Sequence, residues 1–399
     1  MNRQEKILLF LLASINFTHI LDFMIIMPLG NFLMPYFRIT TQQFSLIVSS
    51  YSYAAFASAI LASFVIDNFD RKRSLLFGYT GFTIGTLLCG LANSYQFLIA
   101  ARILAGLFGG LIGAQVLSIV ADIFSYEKRG RAMGYLMAAF SVASVVGIPL
   151  SLYIANIFSW HAPFIMVAII GFLLVPLSIR YIPPMRMHLE NRSTRNVTAA
   201  FSVIFSRKST LIALAFSGLM FFGHFLLVPF FNPFMEFNVG FSREQIPLIY
   251  AVGGAATLFS APYFGKLADK AGKLKVYLFC AIATLPLAFV ITHLPPMAFY
   301  FVLVITGLWF IVSNGRSVAA QAMISNVVEP EYRGSFMSIN SSLQQLFVGS
   351  ASFMAGLIVT NDPVSHKIYR YNWVGYLSIL VLAFCVYLAY VLKRNSERI

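Results

Sequence analysis

Charged side chains are scarce in this sequence. Asp, Glu, Lys and Arg make up 11% of its 399 residues, whereas hydrophobic residues make up 59%. Soluble domains carry about 25% charged residues. The mean hydropathy is +0.80. This composition excludes a water-soluble globule and indicates a membrane protein.

The signatures of several enzyme classes are also absent. The sequence contains no Gly-x-x-x-x-Gly-Lys-Ser/Thr loop, no His-Glu-x-x-His, no Gly-x-Ser-x-Gly and no dinucleotide-binding fingerprint. Its three cysteines, Cys89, Cys280 and Cys385, fall in apolar stretches without a Cys-x-x-Cys pair, so neither a disulfide nor a metal site is expected. We therefore predict no enzymatic activity and no cofactor, and any uphill work would have to be driven by an ion gradient.

Long apolar stretches are abundant. A helix of about 20 apolar residues crosses the hydrocarbon core of a bilayer, and the sequence predicts twelve such spans. They lie at residues 7–33, 44–66, 74–93, 96–120, 132–155, 162–180, 209–231, 245–265, 274–293, 298–325, 336–360 and 373–392.

The distribution of basic residues predicts the topology. Most of the 28 Lys and Arg residues lie in the two terminal segments and in the even-numbered loops, which the positive-inside rule places in the cytoplasm. Both termini are therefore predicted to be cytoplasmic. The net charge of +14 follows from this bias and from contact with an anionic leaflet, so no nucleic-acid partner is expected.

The two halves of the chain resemble each other. The stretch Ser63–Arg73 lies between two apolar spans, and the similar stretch Gly265–Lys275 also lies between two apolar spans. Arg129-Gly130 returns at nearly the same offset as Arg333-Gly334. A period this long predicts an internal duplication. We expect two six-helix bundles, at residues 1–180 and 209–399, joined by a cytoplasmic linker at 181–208.

These motifs resemble those of the major facilitator superfamily, and within it the bacterial drug and sugar efflux branch. The loop at Ser63–Arg73 resembles the signature Gly-x-x-x-Asp-Arg-x-Gly-Arg-Arg, with Asp70 in place of the second Gly, and the loop at Gly265–Lys275 matches it more closely. Arg102–Gly106 resembles the arginine motif of the fourth helix, and Ala143–Leu150 resembles the antiporter motif of the fifth.

The resemblance implies an all-α fold of twelve transmembrane helices in two pseudosymmetric bundles around a central cavity. It implies a secondary active transporter in the bacterial inner membrane, most simply a monomeric, proton-coupled exporter of a drug-like or sugar-like compound. Two alternatives remain: a proton symporter or facilitator of sugars, organic acids or lysolipids, and a ligand sensor that moves nothing. The partners expected are a small molecule, protons and the lipid bilayer.

The signature loops also predict a cytoplasmic gate. In the superfamily, these loops join the two halves when the inner gate is shut. The residues expected to do so are Asp67, Arg71, Asp269 and Lys273. The alternative is that these charges are solvated and only set the topology.

One carboxylate is placed deep in the membrane. Of the 14 acidic residues, only Asp22 lies near the middle of a span, where a lipid-exposed charge is costly. His19 lies one turn before it, and Arg102 lies in the fourth span. In related efflux transporters this arginine lies near an acidic residue of the first helix. We predict that Asp22 and Arg102 form a proton-sensitive pair; the alternatives are a permanent ion pair and direct substrate contact.

Other polar residues within the spans are candidates for the substrate cavity. Arg316 has no acidic mate within the spans of its own half, which leaves Asp22 across the cavity, backbone carbonyls or an anionic group of a substrate as its alternative partners. His224 lies close to the repeat equivalent of Asp22. The full candidate set is Asn16, Asn31, Tyr51, Gln115, Ser144, His224, Asn232, Asn314, Arg316 and Gln344. The alternative for each is hydrogen bonding or packing between helices.

Overall fold

The computed structural model describes residues 3–65, 69–124, 126–185, 204–329 and 333–396, and these are almost entirely helical. The helices of the first half are α1 (Arg3–Ile25), α2 (Gly30–Phe37), α3 (Thr41–Val65), α4 (Arg71–Gly90), α5 (Tyr95–Ile123), α6 (Tyr126–Val142), α7 (Ile148–Ile157) and α8 (His161–Tyr181). A single π-helical turn, Ala143–Gly147, joins α6 to α7. Most of the predicted linker at 181–208 lies outside the described residues.

The second half follows the same plan. Its helices are α9 (Lys208–Phe225), α10 (Val228–Phe234), α11 (Ile246–Ala271), α12 (Lys273–Thr292), α13 (Phe299–Ile324), α14 (Arg333–Ile358) and α15 (Tyr371–Ser396). A π-helical turn, Met235–Val239, follows α10. Between α14 and α15, the short strands β1 (Thr360–Asn361) and β2 (Ile368–Tyr369) pair antiparallel.

The helices are long enough to cross a bilayer. Among the described residues, ten helical stretches have both the length and the hydropathy of a membrane span. The other two predicted spans are α4 and α14, which are 20 and 26 residues long and contain more Ser, Thr and Gly. The predicted all-α membrane fold is confirmed, whereas the exact count of twelve spans stays a prediction.

The chain forms two compact units. The first contains Met1–Ile26 and Ser50–Val197, and the second contains Met27–Ser49 and Thr198–Ile399. The second unit therefore includes a stretch that the sequence analysis assigned to the first bundle. The reason is local packing: the ring of Phe44 lies 5.9 Å from that of Phe230.

In the first unit, small residues bring α3 and α5 together. A Cβ atom added at Gly106 would overlap the carbonyl oxygen of Tyr51, and one added at Gly110 would overlap that of Ala55. A helix pair this close requires glycine at the contact. The approach holds Arg102, one turn before Gly106, against α3.

In the second unit, α13 lies within the apolar core. Phe264, Tyr277, Cys280 and Cys385 belong to one buried cluster that includes residues of α13. A Cβ atom at Gly315 would lie 2.6 Å from the ring of Phe264. This packing encloses the neighbouring residue, Arg316, which is 1% exposed.

Candidate functional site

A buried ion pair lies at the centre of the first unit. Arg102 on α5 donates from Nη1 to Oδ2 of Asp22 on α1 at 2.9 Å, and both side chains are 0% exposed. The same nitrogen lies 3.4 Å from the backbone oxygen of Asp22. The structure thus brings together the two residues for which the sequence predicted a pair, although their role in proton coupling stays a prediction.

The bonding of this pair is incomplete. Oδ1 of Asp22 and both Nε and Nη2 of Arg102 have no hydrogen-bond partner within the described part of the chain. The guanidinium lies instead over the ring of Tyr51, with Cζ 4.3 Å from the ring centroid, a cation–π contact. A carboxylate and a guanidinium can form two parallel hydrogen bonds; among the described residues these two side chains form one, and the side chains of Thr86 and Cys89 lie close to the pair.

The predicted neighbour His19 packs beside this site. Its ring meets that of Phe82 edge to face, with centroids 5.6 Å apart. A Cβ atom at Gly109 would lie 3.2 Å from Nε2 of His19, and Nδ1 has no partner among the residues that the structure describes. The structure therefore places His19 in an apolar contact near Tyr51.

The other candidates in the first unit differ from one another. Asn16 donates to the carbonyl oxygen of Leu136 at 3.1 Å, which ties α1 to α6. Ser144 lies in the π-helical turn and donates to the carbonyl oxygen of Phe140 at 3.0 Å. Gln115 is 1% exposed, and its Oε1 is unpartnered within the described ranges. The helix-joining alternative therefore fits Asn16.

Two asparagines at equivalent positions of the halves both make contacts inside the second unit. Asn31 of α2 donates to Oε2 of Glu236. Asn232 of α10 donates to the backbone oxygen of Pro28 at 2.9 Å and accepts from the hydroxyl of Tyr250 at 2.9 Å. These bonds attach the stretch Met27–Ser49 to the rest of this unit, which is a helix-joining function.

Asn314 and Gln344 also link helices. Asn314 of α13 donates to the carbonyl oxygen of Thr257 and to Oγ of Ser260 on α11, both at 3.3 Å. Gln344 of α14 donates to Oγ of Ser217 on α9 at 2.9 Å. Each amide therefore has a protein partner and needs no ligand to satisfy it.

Arg316 has no such partner among the residues that the structure describes. Its Nε and Nη1 have no acceptor in the part of the chain that the structure describes. The ionisable groups near the guanidinium are those of Tyr277, Cys280 and Cys385. The expectation from the sequence, that no acid of this half neutralises Arg316, agrees with this arrangement.

His224 belongs to an aromatic stack beside Arg316. Its ring lies 5.1 Å from that of Trp309, at an interplanar angle of 20°. The ring of Phe231 lies 6.0 Å from Trp309, also at 20°. His224 interacts electrostatically with Arg316. The sequence predicts His224 and Arg316 as site residues but not Trp309, which lies seven residues before Arg316 and so on the same face of α13.

The predicted cytoplasmic gate is only partly visible. Asp67 lies outside the described residues. Asp70, which the sequence analysis noted only as a departure from the motif, caps α4: Oδ1 accepts from the backbone N–H of Arg73 at 3.1 Å, and Oδ2 accepts from that of Met185 at 2.9 Å. Arg71 is buried, and its N–H points to Met185 O at 3.4 Å. An Asp directly before a helix is a recognisable N-cap signal.

The two remaining gate residues lie around the start of α12. Asp269 is exposed near the end of α11. Lys273 donates from Nζ to the carbonyl oxygen of Ala322 at 3.3 Å. Ala322 lies near the C-terminus of α13, where a cation interacts favourably with the helix dipole.

A second cluster was not anticipated from the sequence. Arg243 donates from Nε to Oε1 of Glu236 at 2.9 Å, and its Cζ lies 4.8 Å from the ring centroid of Phe32. With the bond from Asn31, Glu236 therefore joins three segments of the second unit. Glu236 is not among the residues predicted from the sequence, because nothing in the local pattern indicates its partners.

Comparisons with known proteins agree on one family. The family model described as Major Facilitator Superfamily matches residues 12–351 and 219–398. The chain is 26% identical to Multidrug resistance protein 2 of Bacillus subtilis over 351 residues, 86% of each chain. It is 23% identical to a probable sugar efflux transporter of Pasteurella multocida, over 87% of this chain and 82% of that protein.

Among solved structures, a bacterial homolog to the human lysosomal transporter Spinster, in an inward-facing and unoccupied conformation, covers 100% of this chain with 98% of its own. The TM-score is 0.80 at 16% sequence identity. At 16% sequence identity, this structural similarity is evidence for the fold alone.

Proposed function

Because the chain belongs to the major facilitator superfamily, we propose that it exports a small organic compound, drug-like or sugar-like, in exchange for protons. The chain is a multi-pass membrane transporter of small molecules and not an enzyme. Its similarity to proteins named for multidrug resistance and for sugar efflux supports the direction of transport. We place it in a bacterial inner membrane as a monomer with both termini in the cytoplasm.

The observation that carries proton coupling is the pair of Asp22 and Arg102. Both side chains are fully buried and share a single hydrogen bond of 2.9 Å. A carboxylate in an apolar interior is tolerated when a cation neutralises it. Protonation of Asp22 neutralises the carboxylate and so weakens its electrostatic attraction to Arg102. The guanidinium can then form hydrogen bonds with other acceptors. The protonation state of one residue is thereby linked to the contact between α1 and α5.

The test is flux in inside-out membrane vesicles with an imposed interior-acid pH gradient, using ethidium, a labelled galactoside and labelled 2-naphthoate as cationic, neutral and anionic probes. Wild-type protein should accumulate at least one probe in the vesicle in exchange for protons. Asp22→Asn should abolish the gradient-driven part while the protein remains inserted. Asp362→Asn is the matched control, because Asp362 is bonded only within its exposed loop, to the N–H groups of Val364 and Ser365.

The same vesicles separate the alternatives. A symporter moves its substrate in the same direction as the protons, and a facilitator shows downhill flux that the pH gradient does not change. A sensor binds a probe without flux. Full gradient-driven uptake by Asp22→Asn would reject this pair as the coupling site, whatever the substrate.

A further inference from the structure

One face of α13 carries three buried polar side chains with donor atoms that have no hydrogen-bond partner within the described ranges. Trp309, Ser313 and Arg316 are 4%, 7% and 1% exposed. Among the described residues, nothing accepts from Nε1 of Trp309, from Oγ of Ser313 or from Nε and Nη1 of Arg316. Spacings of four and three residues place these side chains on the same side of a helix, so the unmet groups form one row.

The side chains of this row are mainly hydrogen-bond donors. An indole N–H and a guanidinium can only donate, and a hydroxyl can do either. A buried donor without an acceptor costs about 1–3 kcal/mol, and native proteins contain few of them. Several in one row therefore indicate that acceptors come from outside the chain.

The positive charge of Arg316 is also not neutralised by an acidic side chain among the described residues. In the first unit, Arg102 has the carboxylate of Asp22 at 2.9 Å. In the second, no ion pair of Arg316 exists among the described residues, and the hydroxyl of the nearby Tyr277 is likewise without a partner there. A ligand that satisfies this site must bring negative charge as well as oxygen atoms.

An aromatic surface adjoins the row. The rings of His224 and Phe231 stack with Trp309 at 5.1 Å and 6.0 Å, both within 20° of parallel. His224 also lies near Arg316. Flat rings beside a cation suit a ligand with an apolar or aromatic body and an acidic group at one end.

We propose that Trp309, Ser313 and Arg316 form a binding site within the second unit for an organic anion, with a carboxylate or phosphate held by Arg316 and Ser313 and an aromatic or apolar body against Trp309. This inference rests on the proposed transport function and names its substrate class. A free organic acid and the phosphate of a lipid headgroup share this chemistry.

The experiment measures binding to the full-length protein in phosphatidylcholine nanodiscs by calorimetry and tryptophan fluorescence. The probes are 2-naphthoate and 2-naphthyl phosphate, with 2-naphthylmethanol and 2-naphthylmethylammonium as neutral and cationic analogues. At least one anion should bind about tenfold or more tightly than the alcohol, as expected for hydrogen bonds to a charged group. In Arg316→Gln that preference should disappear.

Two further variants test the site even if Arg316→Gln does not fold. Ser313→Ala and Trp309→Phe should each weaken anion binding severalfold with an unchanged melting temperature. Arg207→Gln is the matched control, since Arg207 forms an exposed ion pair with Glu329 at 2.7 Å; it should bind the anions as wild type does. Adding phosphatidylglycerol to the nanodiscs distinguishes the sources: a lipid-headgroup ligand should compete with 2-naphthoate, and a free acid should bind unchanged.

Equal binding of anion and alcohol, or an anion preference that survives in Arg316→Gln, would overturn this inference. The proposed function fails separately. Anion binding that depends on Arg316, without flux under any pH gradient, would reject proton-coupled export and leave the site standing. Proton-coupled flux of neutral probes, without preferential binding of anions, would reject the anion site and support proton-coupled export.

Discussion

At the scale of single residues, the two units treat a buried arginine differently. Arg102 lies opposite a carboxylate and under the ring of Tyr51, whereas Arg316 lies among a phenol, two thiols and an imidazole. A buried charge must be paired, solvated or ligated. This difference is the basis for proposing that the first arginine takes part in proton coupling and that the second binds an anion.

The ion pair should show strong coupling when it is broken. Asp22→Ala leaves Arg102 buried without its anion, and we expect it to lower the free energy of unfolding by about 3–5 kcal/mol. The double variant Asp22→Ala, Arg102→Ala removes both charges and should lose less than the sum of the two single variants. Denaturant unfolding in detergent micelles measures this double-mutant cycle. Additive losses would show that the pair contributes no mutual stabilisation.

At the scale of elements, the closeness of α3 and α5 depends on individual glycines. Gly110 faces the backbone oxygen of Ala55 with no room for a side chain, whereas Gly113, one turn later, has no atom within 4 Å of the position of an added Cβ. Both lie in the same helix and differ only in what they face.

This contrast predicts opposite effects of the same substitution. Gly110→Ala should force α3 and α5 apart and destabilise the protein by about 1–3 kcal/mol, as overpacking does. Gly113→Ala should be neutral or stabilising by up to about 1 kcal/mol, because alanine favours the helix. The melting temperatures of the two purified variants compare them directly. A Gly110→Ala variant as stable as wild type would mean that the helices separate at little cost.

A second feature of this scale is the attachment of the stretch Met27–Ser49 to the second unit. Thr41 donates from Oγ1 to the carbonyl oxygen of Val359 at 2.6 Å, and its N–H donates to Oδ1 of Asn361 at 3.1 Å. Asn31 adds its bond to Glu236. This stretch is continuous in sequence with the first unit at both ends, so its position in the chain does not predict that it packs in the second unit.

At the scale of the whole molecule, the distribution of charge predicts orientation. The net charge of +14 is carried by 28 basic and 14 acidic residues, and the basic ones are concentrated in the terminal segments and even-numbered loops. Translocation of these segments is unfavourable, so we predict that they stay in the cytoplasm.

Reporter fusions test this orientation. A green fluorescent protein fused after Ile399 should fluoresce, and alkaline phosphatase fused there should be inactive, because the C-terminus is predicted to be cytoplasmic. Alkaline phosphatase inserted at Val364, in the exposed loop between β1 and β2, should be active. The opposite pattern would invert the topology, and active phosphatase at both positions would mean an even number of spans, or none, between Val364 and Ile399.

Composition and hydropathy alone predict the class of protein and its helical structure, because a backbone in hydrocarbon must be helical to satisfy its own hydrogen bonds. They also indicate that Asp22 is sheltered from lipid, since a charge exposed there is costly. The choice of Arg102 as its partner came from the resemblance to the superfamily.

Only the tertiary structure decided which polar side chains are already satisfied. Asn232, Asn314 and Gln344 look like Arg316 in the sequence, as polar residues within apolar spans, yet the first three have protein partners and Arg316 has none among the described residues. The role of Asp70 as a cap and the row on α13 became visible in the same way. A membrane helix is apolar on nearly every face, so its periodicity does not reveal which neighbour each face meets.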